Sequence, residues 1–190
     1  SSAASDVYKR QILENPALWD QVMAETLLPK WNSAIQKPDT FTQLPLQRDF
    51  YARNIKNAKE RTVVIISDAM RYEVGAELAA LLAEDPKSTV QLTPRLGVLP
   101  SYTRLGMAAL LPHTRMEMTP EYQVLIDDMP CENLAQRQAV LQKRVPQSGC
   151  IQFDDLKAMK KDDLRAVFTG KQVVYILSLI HISEPTRRRG

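Results

Sequence analysis

The period of the apolar positions changes along this chain, and each change predicts a different element. From residue 12 to 60 the pattern is polar-amphipathic, with Leu18, Val22, Leu27 and Leu28 near helical spacing until Pro29 interrupts them. Pro38 and Pro45 bracket a loop, and "LQRDFYARNIKNAKER" predicts a second helix with Phe50, Ile55 and Ala58 as a loose apolar stripe. At Thr62 the pattern condenses into "TVVIIS", a short β-branched run typical of parallel-sheet strands buried on both faces. "RYEVGAELAALLAED" then puts Val74, Leu78, Leu81 and Leu82 on one helix face, closed by Pro86. "STVQLTPRLGVLP" predicts a strand and a loop, "TRLGMAALLP" a short helix stopped by Pro112, and "YQVLI" (122–126) another strand. Two helical stretches follow, "CENLAQRQAVLQKR" and "DDLKAMKKDDLRAVF", the second with Asp154 or Asp155 as its N-cap. "QVVYI" (172–176) is a second central-strand candidate. Alternating strands and helices predict an α/β fold, a mostly parallel sheet with flanking helices.

Composition narrows the class. The 190 residues are 44% hydrophobic and 25% charged, with 12 prolines and 6 glycines, which suits one globular domain. The absence of a repeat period excludes collagen-like and solenoid architectures. No apolar run reaches the roughly 18 to 20 residues of a membrane-spanning helix.

A formal charge of +3 invites a nucleic-acid reading, but the excess sits at the two ends. Asp6–Gln11 back-translates as gat gtg tat aag aga cag, whose reverse complement, ctg tct ctt ata cac atc, encodes Leu177–Ile182. One mosaic-end oligonucleotide joined to both sides of a fragment leaves that signature. Residues 1–11 and 177–190 therefore read as translated sequencing-adapter sequence and stand outside the fold reasoning. On that division residues 12–60 are a helical N-terminal segment without nameable chemistry, and 61–176 a partial α/β domain. The apolar run "VVYILSLIHI" becomes a join between two sequences. Residues 12–176 hold 20 basic and 20 acidic side chains and a single histidine, His113, so the charge argument for nucleic acid disappears.

The chemistry concentrates at two places. Asp68 follows the "TVVIIS" strand, and in open α/β sheets ligands collect beyond the carboxyl ends of the strands. A carboxylate there binds a divalent cation or a ribose hydroxyl, or else serves only as a turn or cap residue. In "LPSYTRLGMAALLP" (99–112), Ser101 and Thr103 offer hydroxyls where a helix begins. The unpaired N–H groups and positive dipole end there favour a phosphate or an alkoxide, and a metal would turn such a hydroxyl into a nucleophile. An N-cap is the plain alternative. With no glycine-rich P-loop and no G-x-S-x-G elbow, NTPase and α/β-hydrolase readings lose support.

Taken together, "VVIISDAMRYEVGAEL" and "LGVLPSYTRLGMAALLPH" resemble the PglZ domain of the alkaline phosphatase superfamily. The flanking "LLPKWN" and "QRDFYARNIK" resemble, more narrowly, the PglZ proteins of bacterial BREX phage-defence systems, and the likeness covers most of residues 12–176. The resemblance implies that Asp68 is a metal ligand and that Thr103, preferred over Ser101 by the "P-S-Y-T" spacing, is a metal-facing nucleophile. Met70 stands where leucine is common. The implied reaction is phosphoryl transfer assisted by two divalent ions, zinc, through a phosphothreonine intermediate, as a phosphatase or phosphodiesterase on a nucleic-acid-linked substrate. The implied partners are other BREX proteins, with DNA reached through the full complex, in the cytoplasm and away from membranes.

The family continues after "VVYI" with a "YHN-x-ID"-like stretch that supplies further metal ligands, whereas the adapter reading begins here at Leu177. His181 is then not a ligand, and the chain is expected to lack a complete metal site and to be inactive. Two competitors stand: a non-catalytic PglZ-like scaffold docking other defence proteins, and a flavodoxin-like module holding phosphate by backbone contacts. Among other residues, His113 reads as helix-terminal and Asp127–Asp128 as a solvated turn before Pro130. Cys131 and Cys150, without CxxC spacing, read as reduced cytosolic thiols, and "KKDD" (160–163) as a solvated helix face. Trp19, Trp31 and the tyrosines are too scattered for a base-stacking platform.

Overall fold

The computed structural model describes residues 21, 23–35, 43–68, 70 and 72–178. Leu18, Trp19, Val22, Pro38, His181 and, apart from Leu177 and Ser178, both adapter-like ends lie outside the described residues. Two compact units divide at Leu44 and Pro45. In the first, a π-helical turn (Met23–Leu27) passes into α1 (Leu28–Ile35). Pro29 stands just past the point where the π-helical turn gives way to α, so it coincides with a change of helix type and not with an end.

The second unit is built on a parallel three-stranded sheet of β1 (Thr62–Ser67), β5 (Ser148–Gln152) and β6 (Val173–Ser178), in the order β1-β6-β5. β6 is central as expected, with Val173 through Leu177 all buried. It extends two residues beyond Ile176, placing Leu177 opposite Ile66 and Ser178 opposite Ser67. β1 departs from expectation. It is an edge strand whose Val64 and Ile66 are buried while Val63 is 42% and Ile65 67% exposed. The cause is α2 (Tyr72–Ala83), which buries none of its residues and leaves its apolar face, Val74, Leu78, Leu81 and Leu82, exposed. β5 gave no signal in the sequence; "SGCIQ" has one β-branched residue and becomes a strand by pairing with β6.

A second sheet, antiparallel, joins β2 (Met116–Met118), β3 (Val124–Ile126) and β4 (Met129–Pro130). Asp127 and Asp128, at φ 47° and 67°, form the two-residue turn between β3 and β4, a left-handed pair that aspartate tolerates. The expected strand in "STVQLTPRLGVLP" is absent; extended chain there makes one bridge, Leu46 to Leu96. The expected helix over "LQRDFYARNIKNAKER" shortens to a 3-10 turn (Gln47–Asp49) and a π-helical turn (Tyr51–Ile55). Long-range ties override its propensity: Arg95 donates to Leu46 O (3.2 Å) and to Asn54 Oδ1 (2.5 Å), and Ile55 is buried.

"DDLKAMKKDDLRAVF" divides into α5 (Phe153–Ala158) and α6 (Lys161–Phe168), because Met159 between them is extended. Asp154 and Asp155 occupy the first turn of α5, where the dipole favours them, while Gln152 holds the N-cap position. α4 (Leu134–Arg144) is capped by Asn133, which accepts from Gln136 N at 3.0 Å, and buries Val140 and Leu141. α3 (Thr103–Ala109) is tied to the central strand where the fully buried Tyr175 donates its hydroxyl to Leu110 O at 2.7 Å.

Candidate functional site

Asp68 leaves the carboxyl end of β1, and its backbone N–H extends the ladder by donating to Ser178 O at 3.0 Å. It is half-buried. Thr103 is the first residue of α3 and is exposed. The N-cap position belongs to Tyr102, extended at φ −111° and ψ 125°, and no side chain caps the helix. Neither Ser101 nor Thr103 is therefore spent on the capping role that was its plain alternative. A cis Leu99–Pro100 bond leads into this start, and Tyr102 N donates to Pro100 O at 2.8 Å. Ile66, two residues before Asp68, and Leu105, two after Thr103, belong to one buried core, so a common core supports both residues.

The start of α3 is held by residues that sequence reasoning did not single out. Arg104 Nη1 lies 2.7 Å from Glu132 Oε2, and the other oxygen of Glu132 accepts the N–H of Val124 at the head of β3. Burial pushes the Glu132 carboxyl up, but the Val124 N–H and the Arg104 guanidinium outweigh it and leave it lowered, so the anchor stays charged. From the other side Gln47 Nε2 donates to Gly106 O at 2.9 Å. These partners stand 28 and 59 residues apart, beyond the reach of any local pattern.

Metal-binding capacity can be judged from the donor set. Structural and catalytic zinc sites use at least three protein ligands. Among the described residues no three His, Cys, Asp or Glu side chains converge on a common point. Asp68 and Thr103 offer two oxygen donors, which do not complete such a site. His113 has its Nδ1 2.7 Å from Leu111 O, in keeping with a helix-terminal role. The Asp127 carboxylate is engaged by Thr114 N, Arg115 N and Arg144, consistent with a turn residue and not half of an acid pair for metal. Cys131 and Cys150 are free and buried, and burial pushes their thiols up to about 11 and about 12. Among the described residues no helix is long and apolar enough to cross a membrane.

A parallel sheet flanked by helices is the architecture of an alkaline-phosphatase-like α/β domain. Residues 49–179 match the family described as the BREX system PglZ alkaline phosphatase-like domain, and the chain belongs to that family. It is 36% identical over 174 residues to "Alkaline phosphatase-like protein PglZ" of Bacillus cereus (strain H3081.97), covering 88% of this chain and 20% of that protein. It is 34% identical over 166 residues to "Alkaline phosphatase-like protein BrxZ" of Escherichia coli O9:H4 (strain HS), covering 83% of this chain and 18% of that protein. The chain thus spans about a fifth of the length of these relatives. No solved structure matches it.

Proposed function

We propose that this segment carries the nucleophile-bearing part of a metal-dependent phosphohydrolase, a PglZ-type phosphatase or phosphodiesterase acting in bacteriophage defence. Thr103 is the nucleophile and Asp68 one ligand of the divalent ions, zinc in this reading. The observation that carries it is the free position of the Thr103 hydroxyl at an uncapped helix start within the family match. In that role the Thr103 hydroxyl gives its proton to water as its Oγ attacks phosphorus, the bond to the leaving oxygen breaks in line, and the leaving alkoxide takes up the released proton. Water then hydrolyses the phosphothreonine. Among the described residues Asp68 and Thr103 do not complete an ion site, and this reading expects the 190-residue chain alone to be inactive. The whole protein works beside other proteins of its defence system.

The test compares this chain with a longer protein containing it, on p-nitrophenyl phosphate and its bis ester, with zinc, magnesium or manganese. The longer protein should turn over and lose more than about a thousandfold on Thr103→Ala. Thr103→Ser should retain part of the rate, and a phosphoryl group should be trapped on the peptide 99–112. Turnover that survives Thr103→Ala removes the nucleophile assignment. Zinc-dependent turnover by this chain alone removes the claim of inactivity. A longer protein that docks its partners without any turnover favours the scaffold reading, whose structural support is the exposed apolar face of β1 and α2.

A further inference from the structure

At the end of the parallel sheet opposite Asp68 lies a groove of about 660 Å³. It rests against the amino ends of β5 and β6, where Gln172 N donates to Gln147 O at 2.7 Å. A six-residue strand at about 3.3 Å per residue puts roughly 20 Å between this groove and the carboxyl end that bears Asp68. The two places are chemically separate.

The groove has a cationic side and a flat apolar side. Among the described residues Lys56, His113 and Arg144 line it and no Asp or Glu does, with Asp127 standing behind Arg144 and Thr114. Arg144 spends one nitrogen on Asp127 Oδ2 and Thr114 Oγ1, both at 2.8 Å, which fixes the guanidinium without covering it; its side chain remains 45% exposed. Tyr51 lines the same groove; burial pushes its phenol up, and the Arg144 charge partly offsets that. Lys56 is exposed and enters no ion pair among the described residues, leaving its ammonium to meet a ligand. The bond between the His113 ring and Leu111 O directs the other ring nitrogen away from that carbonyl. Tyr51, Pro112 and Pro146 supply rigid, flat walls. The size falls in the usual range for small-ligand sites, about 300 to 1,000 Å³.

We propose that this groove binds a nucleoside 5′-phosphate, with the phosphate on Lys56 and Arg144 and the base against Tyr51 and the prolines. The held guanidinium of Arg144 and the exposed ammonium of Lys56 answer the dianion, and flat apolar surfaces answer the base. The ligand is either a free mononucleotide or the 5′-phosphorylated end of a strand, which share this chemistry. Because the groove uses neither Thr103 nor Asp68, binding is independent of phosphohydrolase activity.

Calorimetric titration of the 190-residue chain tests this, using AMP, adenosine, inorganic phosphate, and one short oligonucleotide with or without a 5′-phosphate. AMP or the 5′-phosphorylated strand should bind saturably at submillimolar concentration, and whichever binds identifies the source. Adenosine and phosphate alone should each bind at least about tenfold more weakly, the equivalent of about 1.4 kcal/mol. Lys56→Glu should weaken binding by tenfold or more with an unchanged melting temperature, and Lys56→Arg should restore most of it. The proposal is overturned if neither phosphorylated ligand binds, or if binding is unchanged by Lys56→Glu. It is equally overturned if the 5′-hydroxyl strand binds as well as the phosphorylated one, or if an oligoglutamate peptide competes on equal terms.

Discussion

Replacing Asp127 by asparagine isolates one charge at the hairpin between β3 and β4. The carboxylate Oδ1 accepts Thr114 N at 3.0 Å and Arg115 N at 2.8 Å, while Oδ2 accepts Arg144 Nη2 at 2.8 Å. Asparagine tolerates the φ of 47° as aspartate does and keeps one acceptor oxygen for the two backbone N–H groups, but its amide nitrogen replaces Oδ2, so the substitution removes the charge together with the bond to Arg144. A hydrogen bond to a charged group contributes about 1.5 to 3 kcal/mol. The side chain is 22% exposed, and water screens part of that, leaving an expected cost of about 1 to 2 kcal/mol. For a unit of this size that lowers the melting temperature by about 3 to 6 °C. Asp127→Ala should cost about 1 kcal/mol more, since alanine adds the strain of the left-handed backbone.

The same residue sets a pH dependence. Burial pushes its carboxyl up, but the Arg115 and Thr114 N–H groups and the Arg144 guanidinium prevail and leave it lowered. A folded-state pKa below the unfolded value, about 3.9 for aspartate, contributes stability that is complete above that value and lost as pH falls through the folded one. Urea denaturation of both proteins at pH 7 and pH 3 should therefore show the asparagine penalty shrinking in acid. A penalty equal at both pH values, or absent at pH 7, refutes the reasoning.

Three other outcomes follow from buried groups. Tyr175→Phe leaves Leu110 O without its donor and should cost about 1 to 2 kcal/mol by urea denaturation, with the fold retained. Arg137 is 5% exposed, donates through Nη2 to Glu132 O at 3.2 Å, and among the described residues has no hydrogen-bond partner for Nε. Arg137→Met, which keeps the packing and removes a buried charge, should be at least as stable as the parent, whereas Arg137→Ala should lose about 2 kcal/mol or more. Cys131 and Cys150, with thiols raised to about 11 and about 12, should resist a disulfide reagent at pH 8 and react only on denaturation. Rapid labelling of either in the folded chain refutes their burial.

The elements that local chemistry dictates were legible in the sequence. "QVVYI" became part of the central strand because its four consecutive apolar residues, Val173 to Ile176, can all be buried only with neighbours on both sides. "CENLAQRQAVLQKR" became a helix because its apolar spacing and Asn133 cap agree. Asp68 and Thr103 stood out because each sits where an element changes, and there they lie in the fold: one at the end of a strand, the other opening a helix.

What needed a distant partner was not legible. "TVVIIS" has the same composition whether a second face is covered or open, and only the placement of α2 left Val63 and Ile65 exposed. β5 exists because β6 pairs with it, and the helix expected after Leu46 shortened because Arg95 reaches back to Leu46 and Asn54. The grip of Glu132 on Arg104 at the head of α3, and the meeting of Lys56, His113 and Arg144 in one groove, likewise belong to the folded chain. Period and composition act within a few residues, while edges, anchors and grooves are set by contacts between segments tens of residues apart, which only tertiary packing brings together.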